Sequence, residues 1–200
     1  GISYASRRFI NRYQKIQEQA NNSNYFDNFK CYREEDIDYE FKKKFDSIWK
    51  NSKGGGYWIW KNYLILKKLN ELNDNDILIY IDAGCKLNIN DTAKKRFTHY
   101  INLVNNHWTG LLKFEDVHKE YKYTNKYTIH FFEKKYNIKL DDYINKNQLI
   151  GGILIIRKNK FSLDYFNNIN QILNEDFNLF SDKYNLENEN HRHDQSISSL

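Results

Sequence analysis

Two hundred residues, 40% hydrophobic and 16% aromatic, can bury one sizeable core, so a single domain is expected. The net charge of +5 comes from basic residues interleaved with acids; it suits a small anionic ligand such as a nucleotide diphosphate, and otherwise reads as a solvated surface. No stretch is long and apolar enough to cross a bilayer and no signal peptide is visible, which excludes a membrane segment in this sequence and points to a reducing, cytoplasmic setting.

Ile2-Ser3-Tyr4-Ala5 reads as a short strand that breaks at Ser6-Arg7-Arg8. Gly1 rather than Met stands first, so a longer or processed parent chain is expected. Phe9, Ile10, Tyr13, Ile16 and Ala20 recur at helical spacing and predict a helix from Phe9 to Ala20. A second strand falls within Phe26 to Tyr32. Glu34-Glu35-Asp36 puts acids where the next helix begins, which favours its dipole; that helix runs from Asp36 to Trp49. Gly54-Gly55-Gly56 follows as a flexible loop whose backbone N–H groups can approach a phosphate. Its spacing matches neither a Walker loop nor a dinucleotide fingerprint.

Tyr57 to Leu72 is a helix by apolar spacing. After the turn at Asn73 to Asp76, the run Ile77 to Ile81 is apolar on both faces, as expected of a central strand in a covered, mostly parallel sheet. It ends in Asp82-Ala83-Gly84. Asn90 or Asp91 caps a helix to about Asn105. Trp108 to Phe114 reads as a strand, Glu115 to Thr124 as a loop and Lys126 to Tyr136 as a helix. Gln148 to Ile156 is the second strongly apolar run, and Phe161 to Leu173 is a helix. Asn174 to Asn190 is irregular, and His191 to Ser196 opens a last helix. Alternating strands and helices predict an α/β fold, a mostly parallel central sheet flanked by helices.

Asp82 stands where α/β sheets bind ligands, at the carboxyl end of a central strand; it can hold a divalent metal or a ribose hydroxyl, or merely cap the turn. Lys61 follows the glycine loop by one helical turn and can reach a phosphate, or lie solvated. Gly151-Gly152 inside an apolar run marks close approach of a ligand or of another backbone. His191-Arg192-His193-Asp194-Gln195 is too dense in donors and acceptors for a plain surface, although its two histidines lack the partners of a zinc motif. Cys31 and Cys85 abut apolar runs and are expected as buried free thiols.

Four stretches in this order, GGGYWIWK, DILIYIDAG, QLIGGILII and HRHDQSISSL, resemble nucleotide-sugar-dependent glycosyltransferases of the GT-A fold, Rossmann-like in architecture. The nearest likeness is to small bacterial and giant-virus enzymes of glycan or polysaccharide synthesis, which for a viral chain implies the host cytoplasm. The resemblance implies transfer of a sugar, from a UDP-sugar by preference, to a hydroxyl of a glycan or protein. It implies Mn2+ or Mg2+ held at Asp82, with Gly84 standing where the second carboxylate of the Asp-x-Asp motif would be. Donor contacts are expected from Tyr4, Ala5, Ser6 and Arg8, from Trp60 and Lys61, and from Asp82, Ala83 and Gly84. Sugar and acceptor contacts are expected from Gln148, Gly151, Gly152, His193, Asp194 and Gln195, with Asp194 catalytic. No nucleic-acid partner is expected. A non-catalytic nucleotide-sugar binder is the near rival, and a nucleic-acid-binding module, drawn from the basic balance and the tyrosines, the distant one.

Overall fold

In the computed structural model, which describes residues 1–187 and 189–200, the run Ile77–Ile81 forms strand β3 and is buried on both faces. Leu78 and Tyr80 enter one core, and Ile79 and Ile81 enter another. Period-two alternation of side chains requires both faces to be apolar in a strand covered on both sides. The first core is closed by the helices Ile59–Glu71 and Lys160–Glu175, the second by Ile10–Ser23 and Asp91–Asn106. The Ile59–Glu71 helix buries Ile59, Trp60, Leu64, Ile65 and Leu69 almost completely. Each such side chain contributes about 1.5–3 kcal/mol.

The five strands of the main sheet are β1 (Ile2–Tyr4), β2 (Lys30–Tyr32), β3, β4 (Leu111–Leu112) and β7 (Ile153–Arg157). Their order is β2-β1-β3-β7-β4. β1 pairs in parallel with β2 and β3, whereas β7 is antiparallel to β3 and to β4. The sheet is therefore mixed, not mostly parallel. The cause is local. The chain enters β7 at the carboxyl end of β3, Ile153 opposite Ile81, after residues 147–149 have paired with a strand outside this sheet.

That pairing forms a second, two-stranded sheet of β5 (Glu115–Lys119) and β6 (Asn147–Leu149). The apolar run from Gln148 to Ile156 is thus two strands in two sheets, broken at Ile150–Gly152. The charged stretch after Phe114, expected as a loop, is β5 followed by a helical turn, Glu120–Tyr123. Its alternating exposure, with Val117 outward, marks an edge strand that leaves no continuous apolar pattern to read. The helix expected from Asp36 to Trp49 is two short ones, Tyr39–Lys44 and Asp46–Trp49. Asn90 does cap its helix, its side chain accepting from the Ala93 N–H at 2.8 Å. The irregular stretch 174–190 contains the 3-10 turn Phe177–Phe180, and Asn188 within it lies outside the described residues. No helix among the described residues is long and apolar enough to cross a membrane.

The glycine stretch is a left-handed turn. Gly54, Gly55, Gly56, Tyr57 and Trp58 all have positive φ, between 53° and 90°. Left-handed backbone costs roughly 1–2 kcal/mol per residue with a side chain, so only Tyr57 and Trp58 bear that strain here. At Gly56 a Cβ would stand 3.1 Å from the Trp49 Cα. The N–H groups of Gly55, Gly56, Tyr57 and Trp58 donate to the carbonyls of Ser52, Asn51, Lys53 and Gly54. These four are spent on the turn itself and are not free to approach a phosphate. The turn also moves the start of the following helix from Tyr57 to Ile59.

Candidate active site at the carboxyl end of the central strand

β3 delivers Asp82 to the end of the sheet. The Asp82 N–H donates to the Gly152 carbonyl at 2.8 Å, and the Tyr80 hydroxyl donates to Asp82 Oδ1. A Cβ on Gly152 would lie 2.8 Å from Asp82 Oδ2. One on Gly151 would lie 3.2 Å from the Gln195 Cβ and 3.5 Å from Asp194 Oδ2. The glycine pair thus keeps both sides clear: it lets the chain pass between the end of β3 and the start of the Asp194–Ser199 helix with Asp82 and Gln195 undisturbed.

Lys61 joins the two carboxylates. Its side chain is 8% exposed, and its Nζ donates to Asp194 Oδ2 at 2.6 Å and to the Gly151 carbonyl at 3.0 Å. Asp82 Oδ1 lies 3.9 Å away, too far for a direct hydrogen bond. Burial acts to lower the Lys61 pKa, but Asp194 and then Asp82 outweigh it and hold the ammonium form. Burial pushes the Asp194 carboxyl above its ordinary value, with Lys61 opposing and Asp82 adding to the rise. The half-exposed Asp82 and the 13% exposed Asp194 thus face one cavity of about 420 Å³ across a shared ammonium. Such a volume suits a small-molecule ligand.

The opposite wall comes from the chain after the Phe177–Phe180 turn. Asp182 receives Lys53 Nζ at 2.8 Å, the Tyr57 hydroxyl at 3.1 Å and the His193 Nε2 at 3.0 Å. The His193 ring packs against those of Tyr57 and Trp58, at 5.0 and 5.4 Å between centroids. Arg192 lies over the Tyr123 ring at 3.8 Å and donates to Asp116. Behind these groups, Gln148 is fully buried and donates to Glu120 at 2.8 Å, while its carbonyl accepts from Gln195 at 2.7 Å. Gln195 Oε1 in turn accepts the Gly151 N–H at 3.1 Å. This network fixes the helix that carries Asp194.

The structure brings Lys61, Asp82, Gly151, Gly152, His193, Asp194 and Gln195 around one cavity. Tyr4, Ser6 and Arg8 line a neighbouring cavity of about 430 Å³, together with Trp49, Asn51 and Gly55. Trp60 and Gln148 line neither cavity. Trp60 stacks on Tyr4 at 3.9 Å with its indole N–H on the Gly54 carbonyl, and the Gln148 amide is satisfied internally. Ala5 and Ala83 are buried in the second core, and Gly84 has open space where a Cβ would stand, so packing does not demand glycine there. The sequence does not announce Lys53 or Asp182, whereas Arg192 belongs to the dense polar run already singled out. The Lys53–Asp182 pair is separated by 129 positions, and no local pattern announces it.

A divalent ion at Asp82 has few protein ligands to draw on. Among the described residues, no group of three His, Cys, Asp or Glu side chains is placed to hold a metal. Asp194 is committed to Lys61, and an ammonium already stands beside Asp82. These residues do not make a resident metal site, and the expectation of Mn2+ or Mg2+ rests on the resemblance alone.

His191 is structural. Its Nε2 donates to the Leu179 carbonyl at 2.7 Å and its Nδ1 accepts from the Asn125 N–H at 3.4 Å. Burial pushes its pKa down from 6.5 to about 4, the Leu179 contact opposing. Between those values the unfolded chain binds the proton and the folded one does not. Stability is expected to be intact above about pH 6.5 and to fall by up to about 3 kcal/mol as pH drops toward 4. Urea melts across that range, with His191→Gln flattening this component, check it. Comparison of the chain with protein-family models, with curated proteins and with solved structures finds no match in any of the three.

Proposed function

We propose that this chain is a glycosyltransferase of the GT-A type, moving a sugar from a nucleoside diphosphate sugar to a hydroxyl acceptor. The observation that carries the reading is the convergence of Lys61, Asp82 and Asp194 on one open cavity at the carboxyl end of the central strand. This is where ligands bind in open α/β sheets. The neighbouring cavity with Tyr4, Ser6 and Arg8 offers room for a nucleoside on the other side of the left-handed turn. The four sequence stretches named above meet at this same place.

The chemistry asks two things of the site. When the bond between the anomeric carbon and the diphosphate breaks, positive charge grows on the sugar and negative charge on the leaving group. Asp194, fixed by Lys61, puts a carboxylate beside the first. Lys61 has a third N–H beyond its bonds to Asp194 and Gly151, and with Asp82 Oδ1 3.9 Å away it can meet an oxygen of the donor. Arg8, exposed at the neighbouring cavity, adds a cation for a phosphate.

A binder without catalysis remains the second reading, on one observation: Gly84 stands where the resemblance calls for a carboxylate, and nothing in the packing forces glycine there. Release of nucleoside diphosphate from a panel of uridine and guanosine diphosphate sugars separates the two. Steady release above the spontaneous rate is expected of the transferase; donor binding with no release identifies the binder.

A further inference from the structure

We propose that His193, oriented by Asp182, is the general base that takes the proton from the acceptor hydroxyl. The proposal rests on the transferase reading and assigns a step that reading leaves open. Transfer needs the acceptor oxygen to lose a proton as it bonds to the anomeric carbon. Asp194 has another task in that reading: paired with Lys61 through Oδ2 at 2.6 Å, it keeps its charge for the anomeric carbon. His191 has both ring nitrogens occupied. His193 is different.

His193 lines the same cavity as Asp82 and Asp194. Its backbone, at φ 53° and ψ −120°, is unusual for a residue with a side chain. Tyr57 and Trp58 confine the ring. Nε2 lies 3.0 Å from Asp182 Oδ1. Asp182 also takes Lys53 and the Tyr57 hydroxyl, so it is an anion and only accepts. Burial works against that anion, but Lys53 and His193 outweigh it and hold the carboxyl below its ordinary value. The ring proton must therefore sit on Nε2, which leaves a lone pair on Nδ1. Nδ1 has no partner among the described residues, and it is not among their sealed, unpaired polar atoms. A base whose far nitrogen is held by a carboxylate is the arrangement that proton abstraction from a hydroxyl requires.

The charged and titratable groups around His193 are Asp182, Lys53, Tyr57 and His191, with Lys61, Asp82, Tyr123, Glu189, Arg192 and Asp194 at the same cavity. Burial lowers its pKa and outweighs the opposing bond to Asp182, so the ring is neutral and basic at pH 7. In the step, the acceptor O–H proton passes to Nδ1 and the oxygen's electron pair forms the bond to the anomeric carbon. The bond from that carbon to the diphosphate breaks, and its electron pair leaves with the diphosphate. The imidazolium that results is stabilised by Asp182.

Two measurements test this. Nitrogen NMR of the histidine side chains in the wild-type protein at pH 7 reads the tautomer without any donor. The expected result is a proton on Nε2 and none on Nδ1 of His193; a proton on Nδ1 overturns the proposal. Then the rate of donor hydrolysis, with water standing for the acceptor, is followed against pH for wild type, His193→Gln and Asp182→Asn. Wild type should lose activity on the acid side as Nδ1 is protonated. His193→Gln should be slower by about 10²–10⁴-fold and lose that acid limb, with donor affinity little changed. Asp182→Asn should shift the limb to lower pH. A His193→Gln protein that keeps its rate, or keeps the limb at its old position, overturns the base while the transferase reading stands. If the wild type binds none of the donor sugars, the transferase reading fails and the base falls with it.

Discussion

Asp194→Asn is expected to lower sugar transfer, or the slow hydrolysis of the donor, by about 10²–10³-fold with little change in donor affinity. The substitution keeps the shape of the side chain and removes the charge that would face the developing positive centre. The amide oxygen can still accept from Lys61, so the start of the Asp194–Ser199 helix should hold. Its melting point is measured alongside, because a protein that unfolds loses activity for another reason. Near-normal turnover in a folded variant would restrict Asp194 to opening its helix and holding Lys61.

The second large effect is on stability. Lys61→Met keeps the aliphatic length and removes the ammonium. Asp194, 13% exposed, then loses the cation it is paired with at 2.6 Å, and Asp82 loses the ammonium 3.9 Å away. Breaking a buried pair from one side typically costs about 3–5 kcal/mol. For a domain of this size that corresponds to a fall in melting temperature of roughly 6–20 °C. Removing the second charge as well, in Lys61→Met with Asp194→Asn, should recover most of the loss, because no uncompensated charge then remains at that position. A single variant that melts like wild type would mean that Asp194 is already neutral in the folded protein.

The elements with long apolar periods were legible in the sequence: the helix that carries Lys61, strand β3 and the helix Lys160–Glu175. Each buries a face whose spacing survives in the residues themselves. Asp82 was legible too, because a carboxylate ending an apolar strand is rare enough to notice. The antiparallel direction of β7 was not. It depends on residues 147–149 leaving the main sheet to pair with β5, and an apolar run does not record its partner. The left-handed turn was read as a loose loop because three glycines advertise freedom; the strain carried by Tyr57 and Trp58 appears only when their φ values are seen. Asp182 lay in a stretch read as irregular, and its importance arises from Lys53 and His193, which reach it from two other segments. Trp60 is the opposite case, a donor contact by resemblance alone and a core residue by its spacing. It sits beside a site residue in sequence, yet a helix turns consecutive residues to different faces, and it ends up stacked on Tyr4.

The most direct test of the central claim is calorimetric titration of uridine and guanosine diphosphate sugars into the wild-type protein and into Gly152→Val. A Cβ at Gly152 already meets Asp82 Oδ2 at 2.8 Å, so a valine must displace that carboxylate. Saturable binding of at least one donor to wild type is expected, and at least tenfold weaker binding to a variant that still melts cooperatively, a difference of about 1.4 kcal/mol. No heat from any donor at millimolar concentration, or equal affinity in the two proteins, would contradict the placement of a nucleotide sugar between Lys61, Asp82 and Asp194.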